Sequence, residues 1–181
     1  MEFAFDEKHR VWLRCIEPES QHVLKAESRI VWPGASNLCR LLLLEPQLLR
    51  GKSVLELGAG PGLAGLFALT LGARRLFLTD YDLDGSLRVL HDNVARNQCN
   101  TPGSPPIATV HHLAWGDVAN VEQLLLAEPE ARQVEVLLAS DVVYYESGIS
   151  ALLTTVSAFL SRLPNSIFVL ANMRIRYRVT R

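Results

Sequence analysis

The sequence predicts an α/β domain built on a doubly wound, mostly parallel β-sheet. Three observations carry that expectation. Short apolar runs alternate with longer segments of helical periodicity from residue 53 onward. Each run ends in polar or glycine-rich residues. No internal repeat or long linker interrupts the alternation. Strand and helix in regular alternation specify parallel strands with helices packed on both faces.

The elements follow in order. Val11 to Ile16 and Val23 to Ala26 resemble the arms of a hairpin, so residues 1–30 are expected to form a hairpin-like extension ahead of a main domain at 31–181. Ser53-Val54-Leu55-Glu56-Leu57 is a short apolar run ending in glycines, which predicts a buried strand. Gly62 to Leu71 is apolar, rich in small residues and of helical length. Leu76 to Asp80 is a second strand. Leu83, Leu87, Leu90 and Val94 then fall on one helical stripe, with Arg88, Asp92 and Arg96 off it. Asn97 to Pro106 is a loop, because its Asn, Pro and Gly residues break any regular element. Ala108 to Trp115 is a third strand, followed by a short helix near Val121 to Ala127. Val136-Leu137-Leu138-Ala139 is a fourth strand. Ile149, Leu152, Leu153, Val156, Phe159, Leu160 and Leu163 mark one face of an amphipathic helix with Ser147 as the expected N-cap. Pro164-Asn165 ends it, and Ser166 to Ala171 is a fifth strand.

Composition narrows the function. A chain of 181 residues, 49% hydrophobic, is long enough for one well-covered core. With 18 basic and 19 acidic residues the net charge is -1, which gives no general attraction to nucleic acid or membrane. Neither is expected as a partner, and a monomer is expected. The three cysteines, Cys15, Cys39 and Cys99, form no CxxC pair, so neither a disulfide framework nor a zinc site is suggested and no metal is expected. The first residues are acidic and lack a basic-then-apolar signal pattern. The apolar stretches stop well short of the ~20 residues of a membrane helix. A soluble protein of the cytoplasm or nucleus is the expectation.

Ligands of such sheets sit beyond the carboxyl ends of the strands, where strand order reverses. The expected strand ends carry Glu56 with Gly58, Asp80 with Asp82, Trp115 with Asp117, and Ser140 with Asp141. Gly58-Ala59-Gly60-Pro61-Gly62 lies between strand and helix, where glycines let the backbone turn and approach a ligand closely. It differs from the dinucleotide fingerprint in placing its third glycine one residue early and in following Glu56. A carboxylate there would repel pyrophosphate and suit a cationic ligand without phosphate, such as S-adenosylmethionine. Asp80 ends the next strand, where an acid can accept both ribose hydroxyls. Asp82 is the better candidate for capping the following helix. No GKS/T triphosphate-binding motif is present.

These residues resemble the seven-β-strand, class I, S-adenosylmethionine-dependent methyltransferases. They are most similar to the methyltransferase-like protein-lysine methyltransferases of family 16. Val31-Trp32-Pro33-Gly34-Ala35 looks like that family's tryptophan-containing approach to its first helix. Glu56 to Gly62 looks like its cofactor loop, Leu113-Ala114-Trp115-Gly116-Asp117 like its third-strand motif, and Asp141-Val142-Val143-Tyr144 like its Asp-x-x-Tyr signature. The resemblance implies a Rossmann-like class I fold and N-methyl transfer from S-adenosyl-L-methionine to a protein lysine. It also implies that Trp32, Gly58, Ala59, Gly60, Asp80, Trp115 and Ser140 contact the cofactor, while Asp141 and Tyr144 shape the acceptor site. Trp115 at a strand end can stack on adenine, with Asp117 near the exocyclic amine. Trp32 is equally a core anchor or a contact for the methionine side. Asp141 would orient the incoming amine. The family continues past the fifth strand with a helix and a hairpin, so this chain is expected to be short of the C-terminal strands.

Two other readings stay open: methylation of arginine or a small amine on the same scaffold, and a catalytically incomplete module that binds cofactor or protein. Arg174, Arg176, Arg178 and Arg181 near the end read as a solvated edge. His111 and His112, adjacent on a strand, point to opposite faces and do not pair on a metal.

Overall fold

The computed structural model describes residues 1–15, 29–83, 85–97, 107–143 and 146–173. The second arm of the expected hairpin (Val23 to Ala26), Cys99, most of the Pro/Gly loop, Tyr144 and the arginines from 174 onward lie outside the described residues.

A short antiparallel pair opens the chain, β1 (Glu2–Ala4) with β2 (Arg10–Trp12). Helix α1 (Pro33–Leu44) follows. Then β3 (Ser53–Leu57), α2 (Leu63–Thr70), β4 (Arg75–Asp80), α3 (Ser86–Asn97), β5 (Ala108–His112), α4 (Val118–Ala127), β6 (Val134–Ser140), α5 (Glu146–Arg162) and β7 (Ile167–Ala171) alternate as expected. The five strands β3 to β7 form one sheet in the order β5-β4-β3-β6-β7, and every pairing is parallel. Strand order reverses between β3 and β6, the place where such sheets open a crevice for ligand.

The sheet separates two cores. Val54, Leu76, Leu78, Val136 and Leu138 face α1, α2 and α3, whereas Leu55, Leu57, Phe77, Leu137 and Ala139 face α4 and α5. Central β3 is buried at every position, which is why it reads as a continuous apolar run rather than an alternating one. Helix α2 is apolar nearly all round because it is covered twice, by the sheet and by the N-terminal hairpin: Phe5 of the hairpin meets Phe67 with ring centroids 4.5 Å apart. Phe67, Phe77 and Phe159 are wholly buried, and truncating any one of them to Ala costs about 3–5 kcal/mol.

Among the described residues the partner of Arg10–Trp12 is Glu2–Ala4, while the expected second arm, Val23 to Ala26, lies outside them. Three expectations need correction. Leu83 precedes α3 instead of lying on its stripe, because a turn closed by the Leu83 N–H to the Tyr81 carbonyl intervenes. Helix α5 starts at Glu146, which puts Ser147 inside the first turn and not at the cap. Strand β5 ends at His112: the Leu113 N–H still reaches the Asp80 carbonyl, but the Ala114 N–H turns to the Asn120 side chain. Leu113 to Trp115 thereby leave the sheet.

Candidate active site

A cavity of about 780 Å³ opens at the carboxyl ends of the strands. That is within the usual range for a small-molecule site. Its floor is the β3–α2 loop, Gly58 to Pro61. Asp80, Tyr81 and Leu83 form one wall, Leu113 to Trp115 another, and Ser140 to Val143 a third. Ile30 to Pro33 and Ala35 close it from α1, with Asn172 and Met173 beyond β7. The lining is mostly apolar, with Asp80, Ser140, Asp141 and backbone groups as the polar points.

The glycines of the loop are required by geometry. Gly58 has φ +65°, and a Cβ on it would lie 2.8 Å from Trp115 Cζ2 and 2.9 Å from Val142 Cγ1. The Trp115 ring therefore lies directly against the loop backbone. Gly62 caps α2 in the left-handed region at φ 89° and has no side chain to satisfy the helix amides. The Gly60 N–H donates to Asp80 Oδ2 at 2.6 Å, which ties the loop to the end of β4. Burial pushes the Asp80 carboxyl from 3.8 up to about 6, against the stabilising Gly60 and Tyr81 amides. A buried acid short of partners gains from hydroxyl donors, as a ribose would provide.

Glu56 departs from expectation. It is 1% exposed and does not line the cavity. Its Oε2 instead accepts the Gly65 N–H at 2.8 Å, so it caps α2 in place of the side chain Gly62 lacks. The reason is local. Glu56 points to the helix side of β3, and a Cβ on Gly65 would lie 2.6 Å from Oε2, so Gly65 alone leaves room for the carboxyl. Burial raises its pKa from 4.5 to about 8, offset in part by the Gly65 amide. Its influence on a ligand runs through the loop and helix it holds.

Asp141 does line the cavity and performs a parallel task. It has φ 49°, unusual for a residue with a side chain but tolerated by Asp. Oδ2 accepts the Gly34 N–H at the start of α1, and Oδ1 accepts the Met173 N–H at 2.7 Å. Helix α1 has Trp32 at its N-cap with no side-chain cap bond, so Asp141 supplies the acceptor. A Cβ on Gly34 would lie 2.5 Å from the Asp141 carboxylate. One carboxylate thus joins the ends of β6 and β7 to the helix that carries Trp32.

The remaining expected residues are placed as follows. Trp32, Gly58, Ala59, Gly60, Asp80, Trp115 and Ser140 all line the cavity, and Trp32 is 42% exposed at its mouth. Asp82 accepts the Leu87 N–H of α3, the capping role expected of it. Asp117 is not at the cavity: it caps α4, accepting from the Ala119 N–H at 2.9 Å and the Asn120 amide at 2.7 Å. Tyr81, Leu83, Val142 and Met173 line the cavity without having been singled out. Tyr81 was legible as the residue after Asp80. Met173 was not, since its place depends on bonds to residues far away in sequence, Asp141 among them.

The sequence profile described as lysine methyltransferase matches residues 18–180. Protein N-lysine methyltransferase METTL21A of Mus musculus is 37% identical over 148 residues, covering 82% of this chain and 61% of that protein. Protein N-terminal and lysine N-methyltransferase EFM7 of Cryptococcus neoformans var. neoformans serotype D (strain B-3501A) is 35% identical over 133 residues, covering 72% of this chain and 42% of that protein. The chain thus spans about half the length of these curated relatives. The crystal structure of PRMT6-SAH superposes with a TM-score of 0.55 at 19% identity, over 81% of this chain and 43% of that one, a likeness of fold. Together with the sheet order and the loop geometry, the profile match over nearly the whole chain is decisive: this chain belongs to the lysine methyltransferase family.

Proposed function

We propose that the chain is an S-adenosylmethionine-dependent N-methyltransferase acting on lysine side chains of protein substrates. The observation that carries this reading is the glycine loop held against Asp80 at the strand-order reversal, inside a mostly apolar cavity of cofactor size. The donor set suits this cofactor. The loop backbone allows close approach, Asp80 offers a carboxylate to ribose hydroxyls, and among the described residues no cluster of basic side chains lines the cavity for a phosphate.

Bound S-adenosylmethionine supplies an electrophilic methyl group on a sulfonium. The residues of the chain position and desolvate the reactants. Trp115, fixed over Gly58, is the flat surface for the adenine. Trp32 and Pro33 at the mouth narrow the approach from the α1 side. A lysine amine of reference pKa ~10.4 must arrive neutral, and the apolar walls favour the uncharged form. Asp141 borders the acceptor end, where its oxygens would accept a hydrogen bond from the incoming amine and stabilise the positive charge that methyl transfer leaves on the nitrogen. Tyr144, which the family resemblance assigns to the acceptor site, lies outside the described residues. We place the protein in the cytoplasm or nucleus, acting as a monomer without nucleic-acid or membrane partners. A net charge of -1 gives no general pull toward nucleic acid or an anionic membrane surface, and among the described residues no helix is long and apolar enough to cross a membrane.

The test is incubation with methyl-labelled S-adenosylmethionine and cell extract, beside Asp80→Ala. Label recovered as methyl-lysine from protein, and lost in the variant, is the expected result. Label in arginine would transfer the assignment to that acceptor. No label in any protein, at cofactor concentrations that saturate binding, would contradict the enzymatic reading.

A further inference from the structure

The N-terminal strand and the cofactor loop share one side chain. Asn93 of α3 is fully buried, and its amide makes three bonds to backbone in two separate parts of the chain. Oδ1 accepts the Arg14 N–H at 2.6 Å, while Nδ2 donates to the Arg14 carbonyl at 3.0 Å and to the Pro61 carbonyl at 2.9 Å. Asn97 treats Trp12 in the same manner, accepting its N–H at 2.9 Å and donating to its carbonyl at 2.6 Å. The two asparagines are stacked on one face of α3 at i, i+4 spacing. Trp12 and Arg14, alternate residues of an extended strand, present their peptide groups along the same edge. Two side-chain amides therefore complete the free edge of β2 in place of another strand. Val11 and Leu13 are buried, whereas Trp12 is 54% exposed, so the clasp at Trp12 depends on these bonds rather than on burying its ring.

Only Asn93 reaches further. Pro61 is buried between Gly60, whose N–H holds Asp80, and Gly62, whose φ of 89° sets the turn into α2. The Pro61 carbonyl is thus fixed by the same amide that fixes Arg14. Without Asn93, this buried carbonyl loses that partner and the turn loses a constraint.

We propose that Asn93 is a positioning residue for the cofactor loop, and that docking of the N-terminal strand is linked through its amide to occupancy of the cavity. The proposal rests on the reading that the cavity takes S-adenosylmethionine. It adds a strand that does not line the cavity to the parts that set affinity. Linkage of this kind is reciprocal: whatever the ordered strand gives the ligand, the ligand gives the strand.

The test uses the full chain with S-adenosylhomocysteine as probe, and combines calorimetric affinity with amide hydrogen exchange. In the wild-type chain, saturating probe slows exchange at the Trp12 and Arg14 amides. Asn93→Asp retains an acceptor for Arg14 but loses the donor to both carbonyls. It lowers affinity about tenfold and removes the ligand-dependent protection of the strand. Asn93→Ala changes both readouts in the same direction without adding charge. Asn97→Ala speeds exchange at Trp12 and leaves the ligand-dependent slowing at Arg14 in place. The wild-type measurement needs no variant to fold. Binding of the probe with unchanged exchange at both amides would overturn the proposal, as would an Asn93→Asp affinity within about twofold of wild type. Failure of the wild-type chain to bind the probe would instead sink the cofactor reading, and this proposal with it.

Discussion

Two helices that border the cavity begin in the same way and are secured differently. Neither α1 nor α2 has a side-chain cap of its own. Each borrows a carboxyl from the sheet: Asp141 at the end of β6 for α1, and Glu56 within β3 for α2. Each carboxyl faces a helix glycine whose Cβ would collide with it, Gly34 in one case and Gly65 in the other. The difference lies in environment and reach. Glu56 is sealed in the core and holds a helix next to its own strand in sequence. Asp141 borders the cavity and ties together α1, β6 and the end of β7. The comparison teaches that a carboxylate near a ligand loop need not face the ligand. Glu56 sets the loop from behind, while Asp141 joins, at the cavity wall, segments that meet only in the fold.

The largest expected effect comes from filling the sealed cap. Gly65→Ala places a Cβ 2.5 Å from Leu78 Cδ2 and 2.6 Å from Glu56 Oε2, and both side chains are buried. Urea unfolding should show a loss of about 3 kcal/mol. A loss below about 1 kcal/mol would mean that the cap relaxes easily and that the two sites differ less than their burial implies.

The second prediction concerns pH. The folded-state pKa of Glu56 is raised from 4.5 to about 8, so the folded chain holds this proton where the unfolded chain has released it. Its contribution to stability is complete below pH 4.5 and is lost as pH rises through about 8. Glu56→Gln keeps an acceptor for Gly65 and removes the titration. It should flatten the fall in stability across that window by on the order of 2 kcal/mol. An identical pH profile for the variant would show that Glu56 is ionised in the fold.

Asp141→Asn tests the open cap. One amide oxygen can serve only one of the two N–H groups well, so a stability loss of about 1 kcal/mol is expected by denaturant titration. Methyl transfer should fall by more than S-adenosylhomocysteine binding if, as proposed, the α1 and β7 ends border the acceptor side. Equal losses in both would remove the distinction between the two caps. The smallest effect belongs to a pair remote from both: Arg162→Ala breaks an exposed ion pair with Glu122 and should shift stability by less than about 0.5 kcal/mol.

The fold was largely legible because its signals are local. Ser53–Leu57 reads as a buried strand and is one, and the alternation after it specified a parallel sheet with two covered faces. The glycine loop and Asp80 were legible for the same reason, being consecutive strand ends of one sheet. What escaped depends on partners distant in sequence. Asp141 reads as a polar strand end within the Asp-x-x-Tyr signature, yet its bonds go to Gly34 and Met173. Glu56 reads as facing the ligand because strand alternation was masked by burial on both faces. Asn93 carries no signal of its own and Asn97 reads as the first residue of a loop, and only the docked N-terminal strand gives them their role.

The central claim is that the cavity beside the glycine loop and Asp80 is the cofactor site. Calorimetric titration of the chain with S-adenosylhomocysteine tests it most directly, with Asp80→Ala alongside. One equivalent should bind the wild-type chain. Its affinity should rise with pH through about 6 as the Asp80 carboxylate forms, and the variant should lose about tenfold or more together with that pH dependence. No binding by the wild-type chain, or equal affinity and the same pH profile in the variant, would contradict the account.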